Sequence, residues 1–292
     1  MRPSTKLGSI AILATLALSA CSAESDKRSG TANTGGGAST AAARCTPSSL
    51  KTQTSGTLTV ATDSPAFDPW FSDDKPSNGK GFESAVAFAV AKQLGYSPTQ
   101  VKWVVAPFKT VIAPTPKKFD FDINQVSITP ARAKVVDFST GYYDVAQAVI
   151  TLKGSKIAGV TTIAGLRNAK LGAQKGTTSL DAINNVIKPS RTVGEYPTND
   201  VAVQALKNGQ VDGLVVDLPT GLFITAAELD NGQLVGQLPV TGTPEQFGLV
   251  LDKGSSLTTC VRKAVDALRS DGTLAALQKQ WLTSSAGAPE LT

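Results

Sequence analysis

The chain has 292 residues, 41% of them hydrophobic and 17% charged, enough for a packed core in one large or two ordinary domains. It contains no histidine, which excludes the usual general base, Ser-His and Cys-His nucleophile pairs and most zinc or iron sites. The formal net charge of +5 is thinly spread, with no basic run exceeding the pair Lys117-Lys118, read as a solvated loop, so no nucleic-acid footprint is expected.

The amino terminus opens with Arg2 and Lys6 and continues as the apolar stretch Leu7–Ala20, too short to span a bilayer comfortably. Residues 1–21 therefore read as a cleaved secretory signal. The string Leu18-Ser19-Ala20-Cys21 resembles a bacterial lipobox, in which Cys21 is acylated and becomes the first mature residue. The alternative is a freely secreted protein with an incidental Cys21. Ser22–Ala43 is small, polar and Gly-rich, and residues 22–49 are read as a flexible tether. The Gly-rich part has a typical span of about 26 Å. Cys45 and Cys260 remain as an even pair in an oxidising compartment. A bridge would pin the start of the fold to a late helix; the alternative is two free thiols.

Beyond Leu50, strand-like and helix-like segments alternate. Thr57–Ala61 reads as a strand, Gly81–Gly95 as an amphipathic helix with Phe82, Val86, Val90 and Leu94 on one stripe, and Val101–Ala106 as a second strand. Phe119–Ile128 contains a third. A new block opens near Lys153 with a strand at "AKLGAQ", helices at "SLDAINNVI" and "DVAVQALKNG" and a strand at "VDGLVV". The tail predicts two short amphipathic helices joined at Asp271-Gly272. This alternation predicts parallel sheets covered by helices. Neither an internal repeat nor a dinucleotide or P-loop glycine pattern is present.

Four polar clusters follow directly after strand candidates, where ligand crevices of open α/β sheets lie. In the first, Ser127, Thr129 and Arg132, the Thr129-Pro130 step predicts a helix start. Arg132 then falls in the first turn, where a cation gains nothing from the helix dipole unless both face an anion. The second is Gly176-Thr177-Thr178-Ser179, another helix start; the third is Asp217, before Leu218-Pro219; the fourth is Asp63, followed by Phe67, Trp70 and Phe71. Each alone is explained by a salt bridge, a cap or core packing. Together they suit a free amino acid, with arginine, hydroxyls and amides for its carboxylate and an aspartate for its amine.

The strings "TLTVATDSPAFDPW", "GKGFESAVAFAVAKQLG", "FDFDINQVSITPARAKVVDFSTGYY", "KLGAQKGTTSLDAI", "AVQALKNGQVDGLVVDLPT" and "ALRSDGTLAALQKQW" resemble, in order, those of family 3 extracellular solute-binding proteins, the polar amino-acid receptors of ABC importers. The resemblance runs from about Thr57 to Leu282. It implies a two-lobed α/β fold of the type II periplasmic-binding-protein kind, each lobe a mostly parallel sheet flanked by helices. Lobe one would hold 50–147 and 246–292 and lobe two 148–245, with "YYDVAQAV" and "EQFGLVL" as hinge strands. It implies that Arg132 grips the ligand carboxylate, that Ser127 and Thr178 donate to it, with Thr177 also in the ligand set, and that Asp217 accepts the amine. Phe108 would pack on the ligand, and Asp63 would lie where side-chain selectivity is set. Phe67 or Trp70 would be the second aromatic wall.

Asn124 and Gln125 stand where the family often has small residues, so Gln125 is a candidate for reaching the ligand. Asp63 would suit a basic side chain, Asn124 and Gln125 a Glu, Gln or Asn. The resemblance further implies a monomer that uses no cofactor and works with a permease and its ATPase, held to the outer face of the membrane through Cys21. Two rival readings stay open. One is a cyclohexadienyl-dehydratase-like enzyme with Glu195 or Asp217 as its acid; the other is a sensory receptor without a permease. Asp120 and Asp122 resemble paired catalytic carboxylates but fall in a string read as structural.

Overall fold

The computed structural model describes residues 45–240, 242–282 and 288–292. The proposed signal segment, Cys21 and the tether up to Arg44 lie outside the described residues. In chain order the elements are β1 (Leu58–Thr62), α1 (Phe82–Gln93), β2 (Val101–Val105), α2 (Phe108–Val111), β3 (Phe121–Asp122), α3 (Pro130–Ala133) and β4 (Asp137–Val145). They continue with β5 (Gln147–Leu152), α4 (Ile163–Leu166), β6 (Leu171–Gln174), α5 (Thr178–Ala182), β7 (Gly194–Tyr196), α6 (Asn199–Lys207), β8 (Gly213–Asp217), α7 (Leu218–Phe223) and β9 (Gly232–Gln237). Finally come β10 (Glu245–Leu251), α8 (Thr258–Ser270) and α9 (Thr273–Trp281). The helix expected over "SLDAINNVI" starts as α5 and widens into a π turn at Ile183–Ile187.

Two five-stranded sheets form, in the orders β2-β1-β3-β10-β4 and β7-β6-β8-β5-β9. Both are mixed rather than mostly parallel. Pairs β1/β2, β1/β3, β6/β7 and β6/β8 are parallel, while β10 and β5 pair only antiparallel. The reason is topological: β5 and β10 arrive from the other lobe and enter their sheet against its direction.

Each sheet is covered on both faces. Beneath α1, α8 and α9 lies an aromatic cluster with Trp70, Phe71, Phe82, Tyr142, Tyr143 and Phe247. Phe108, Val111, Phe119 and Phe138 fill the opposite face. In the second lobe, Leu171, Ile183 and Val215 pack on one face and Leu206, Leu214 and Ile224 on the other. These buried strands read as continuous apolar runs because neither face meets water. Gly81, at φ 92°, lets α1 begin against the Trp70–Phe71 backbone; a Cβ there would lie 2.5 Å from the Trp70 carbonyl.

Three segments differ from the sequence reading. Residues 45–49, assigned to the tether, form a turn closed by the Ser49 amide on the Thr46 carbonyl, and the Cys45–Cys260 disulfide ties it to α8. Closing so long a loop contributes up to about 5 kcal/mol through the unfolded chain. Lys117 is not solvated: its ammonium is buried and donates to the carbonyls of Thr110 (2.8 Å) and Ala113 (2.6 Å).

The C-terminal residues, assigned to lobe one, instead lie on the second sheet. The Gln237 amide donates to the Pro289 carbonyl (2.8 Å), the Leu291 amide to Gln237 (2.9 Å) and the Ile163 amide to Thr292 (2.8 Å). Leu291, only 1% exposed, fills that lobe's core. Leu291→Ala is expected to cost about 2–4 kcal/mol, seen as a lower urea midpoint at unchanged slope. An unchanged midpoint would mean the tail is not a structural part of the lobe.

Candidate functional site

The topology sets out a crevice before any side chain is considered. In the first sheet the chain leaves β1 to one side for β2 and returns to the other for β3. In the second it leaves β6 for β7 and returns for β8. Strand ends at such switch points leave a gap open to ligands, and here the two gaps share one cleft. Asp63, Phe67, Phe108, Asn124, Gln125, Ser127 and Arg132 line it from lobe one. Gln174, Thr177, Thr178, Ser179, Thr198, Asn199, Asp200 and Asp217 line it from lobe two.

Arg132 sits in the first turn of α3, whose N-cap Thr129 accepts from the Arg132 amide at 3.2 Å. Only 9% of Arg132 is exposed. Its guanidinium donates to the Ser127 carbonyl (2.8 Å) within its own lobe and to the Gly176 carbonyl (3.0 Å) across the cleft. It also lies 5.4 Å from the centroid of the Phe108 ring. Burial lowers its pKa, while the carboxylates of Glu245, Asp217 and Asp181 raise it. A surface salt bridge, the bland reading of this arginine, does not fit: no carboxylate lies within ion-pair distance among the described residues. Two further contacts join the lobes, Ser127 Oγ to Thr178 Oγ1 (3.2 Å) and Trp70 Nε1 donating to Thr220 Oγ1 (2.9 Å).

Asp217 occupies the N-cap position of α7 but makes no capping bond. Its carboxylate instead accepts from Gln147 Nε2 at 2.8 Å. The same Gln147 nitrogen reaches Glu245 Oε2 (3.2 Å) and Thr178 Oγ1 (3.4 Å), and Gln147 Oε1 accepts from the Ser179 hydroxyl (2.6 Å). Register explains the cluster: Gln147 pairs with Asp217 across β5/β8, and Glu245 faces Val145 where β10 joins β4. Burial first and Glu245 second push the Asp217 carboxyl up to about 8, against the opposing effects of Gln147 and Arg132.

Gln125 has the unusual φ of 49° for a residue with a side chain. Glu83, at the start of α1, holds it there. The Gln125 amide donates to Glu83 Oε1 (2.8 Å), and its side-chain nitrogen donates to Oε2. The Tyr142 hydroxyl donates to Glu83 as well. Gln125 thus lines the cleft with its donor committed beneath it. Burial raises Glu83 to about 7, and pushes neighbouring Asp122, whose oxygens have no hydrogen-bond partner among the described residues, well above its ordinary range. Asp120 is structural, accepting from the amides of Gln53 (2.7 Å) and Thr59 (2.6 Å).

Nine of the ten sequence candidates line the cleft: Asp63, Phe67, Phe108, Gln125, Ser127, Arg132, Thr177, Thr178 and Asp217. Trp70 is a correction. It is 1% exposed and packs on Phe82, Tyr143 and Phe247, so the aromatics of that segment that line the cleft are Phe67 and Phe71. Thr177 spends its hydroxyl locally, accepting from the Leu180 amide and donating to the Gln174 carbonyl. Gln147, Glu83 and Asp200 were not anticipated. Gln147 lay in a string read only as hinge, and Glu83 and Asp200, in the first turns of α1 and α6, carry no local signal beyond that of ordinary helix-start acids.

A two-lobed α/β protein with a polar cleft between facing switch points, and an arginine buried in it, is a solute receptor by class. Sequence comparison agrees: a model of the bacterial extracellular solute-binding proteins, family 3, matches residues 58–284. The chain belongs to that family. It is 30% identical over 287 residues to the ABC transporter glutamine-binding protein GlnH of Bacillus subtilis, covering 97% of this chain and 98% of that one. Over 207 residues it is 28% identical to ABC transporter arginine-binding protein 1 of Escherichia coli, covering 69% and 81%. Among solved structures, an ancestral arginine-binding protein bound to arginine superposes with a TM-score of 0.64 at 31% identity, covering 77% of this chain and 98% of that one.

The raised Glu83 carboxyl makes the fold pH-dependent. Unfolded it titrates near 4.5 and folded near 7, so its stabilising proton is fully present below pH 4.5 and lost as pH rises through 7. Asp217 acts in the same direction up to about 8. Unfolding free energy should therefore fall across this window, by about 1.4 kcal/mol per pH unit for each group. Glu83→Gln should flatten the slope whatever it does to stability at one pH; an unaltered slope would show that Glu83 does not carry the proton.

Proposed function

We propose that the cleft captures a free amino acid and that ligand-driven closure of the two lobes is the signal a membrane permease of an ABC importer reads. The observation that carries this reading is Arg132, buried at the mouth of a helix and shared between lobes with no carboxylate in ion-pair distance among the described residues. A ligand carboxylate would take N–H groups that now face the Gly176 carbonyl, with Ser127 and Thr178 as hydroxyl donors. Asp217, steered by Gln147, would accept the α-ammonium, and Phe108 and Phe67 would flank the ligand. Since the donors come from both lobes, the ligand binds the closed arrangement more tightly than an open one, which is what shifts the population.

Cleavage before Cys21, acylation there and a tether up to Arg44 would hold the body at the outer face of the membrane, as a monomer. The relatives named as ABC transporter binding proteins support import over sensing without a permease. Binding rather than turnover is favoured because Glu195, one of two candidate acids, is exposed, 3.6 Å from Lys175 and absent from the cleft lining. The other, Asp217, is tied to Gln147.

Arg132→Ala should weaken amino-acid binding by at least about 100-fold, roughly 3 kcal/mol, while the protein still unfolds cooperatively. Calorimetry showing near-wild-type affinity would sink the assignment. Asp217 supplies a second check. Its carboxyl holds a proton below about 8, which an incoming ammonium must displace. Binding near neutral pH should therefore release about one proton, and affinity should rise as pH approaches 8. Titration in buffers of different ionisation enthalpy reads this directly, and a buffer-independent enthalpy would contradict it.

A further inference from the structure

The cleft holds more negative charge than the backbone groups of an amino acid require. Its charged lining is Arg132, Asp63, Asp200 and Asp217, with no lysine and no second arginine among the described residues. On the reading above, on which this inference rests, the ligand carboxylate neutralises Arg132 and the ligand ammonium neutralises Asp217. Asp63 and Asp200 are left over.

The two remaining acids come from opposite lobes. Asp63 follows β1, and its oxygens accept from the amides of Ser64 (2.8 Å) and Phe108 (3.1 Å), which fix its position. Asp200 stands in the first turn of α6 and is only partly exposed. Burial, then the field of Asp63, raise the Asp200 carboxyl, so the two groups sense each other across the gap. A first-turn acid is favourable on any helix. That preference does not account for a carboxylate sharing its cleft lining with a second one, Arg132 being the one lysine or arginine of that lining among the described residues.

The space does not end at Asp200. Phe67, Asn199 and Asp200 also border a smaller adjoining pocket closed by Val203, Phe223 and Glu228. Its one charged group beyond Asp200, among the described residues, is a further acid, Glu228, itself raised by burial and then by Asp200. An aromatic ring beside carboxylates, leading to a narrow acidic extension, suits a flat or slender cation on an apolar stem.

We infer that the ligand is an amino acid with a cationic side chain, a guanidinium or terminal ammonium, held between Asp63 on one lobe and Asp200 on the other. Asp200 is the specificity-determining residue of the second lobe. The device also rejects: without a cation, closing the lobes brings two carboxylates together, so neutral and acidic amino acids gain less from closure.

The test is calorimetric titration of the mature chain with L-arginine, L-lysine, L-glutamine and L-glutamate, using wild type, Asp200→Asn and Arg132→Ala. Wild type should bind arginine or lysine at least about 100-fold more tightly than glutamine, and glutamate most weakly. Asp200→Asn should lose about 10- to 100-fold for the cationic ligands and lose nothing for glutamine. Arg132→Ala should lose all four. Glutamine or glutamate as the best ligand, still abolished by Arg132→Ala, would overturn this inference and leave the amino-acid reading standing. An equal loss for arginine and glutamine in Asp200→Asn would also overturn it. Wild type binding none of the four would remove both readings together.

Discussion

Burying a guanidinium is the constraint on which the rest of the cleft depends. A charge at Arg132 in an apolar interior would be too costly to keep without compensation. Here the compensation is divided between lobes: the Ser127 carbonyl below it, the Phe108 face beside it and the Gly176 carbonyl opposite. Gly176 adopts φ 80°, which turns its carbonyl toward the cleft at no steric cost. The arginine therefore couples the relative position of the two lobes to whatever accepts its hydrogen bonds. On the proposed function, a ligand carboxylate would compete with the Gly176 carbonyl for the same donors and so control closure.

The negative half of the site is arranged at the hinge for a related reason. Asp217 ends β8, Gln147 begins β5 and Glu245 begins β10, so the residues that tune Asp217 lie on the strands that cross between lobes. One amide nitrogen cannot satisfy two carboxylates fully, and burial, then the field of Glu245, raise the Asp217 carboxyl. On the proposed function, ligand binding, proton release and hinge geometry would be one coupled event.

Below lobe one, Glu83 holds Gln125 in left-handed backbone, and Asp122 beside it has no hydrogen-bond partner among the described residues. Glu83 and Asp122 are buried acids retained under a cleft wall, and the proton that makes them tolerable ties stability to pH. This is the pattern expected where a backbone shape is kept for function at some cost to stability.

Much of this was legible in the sequence. Alternating apolar runs announced the strands, Thr129-Pro130 announced α3, and Asp63, Ser127, Thr178 and Asp217 were marked by following strand ends. These signals are local, set by side-chain period and by capping within a few residues. Whether Phe67 or Trp70 faced the cleft could not be read locally, because both are aromatic and the choice is made by packing on Phe82, Tyr143 and Phe247. The return of Leu291 to the second lobe depended on an edge offered by β9. Gln147 became a site residue only through its register with Asp217, and Asp200 only through facing Asp63. The sequence by itself determined the elements, the family and the arginine; tertiary structure decided which groups oppose one another, because opposition across a cleft is set by sheet register and hinge geometry between residues far apart in the chain.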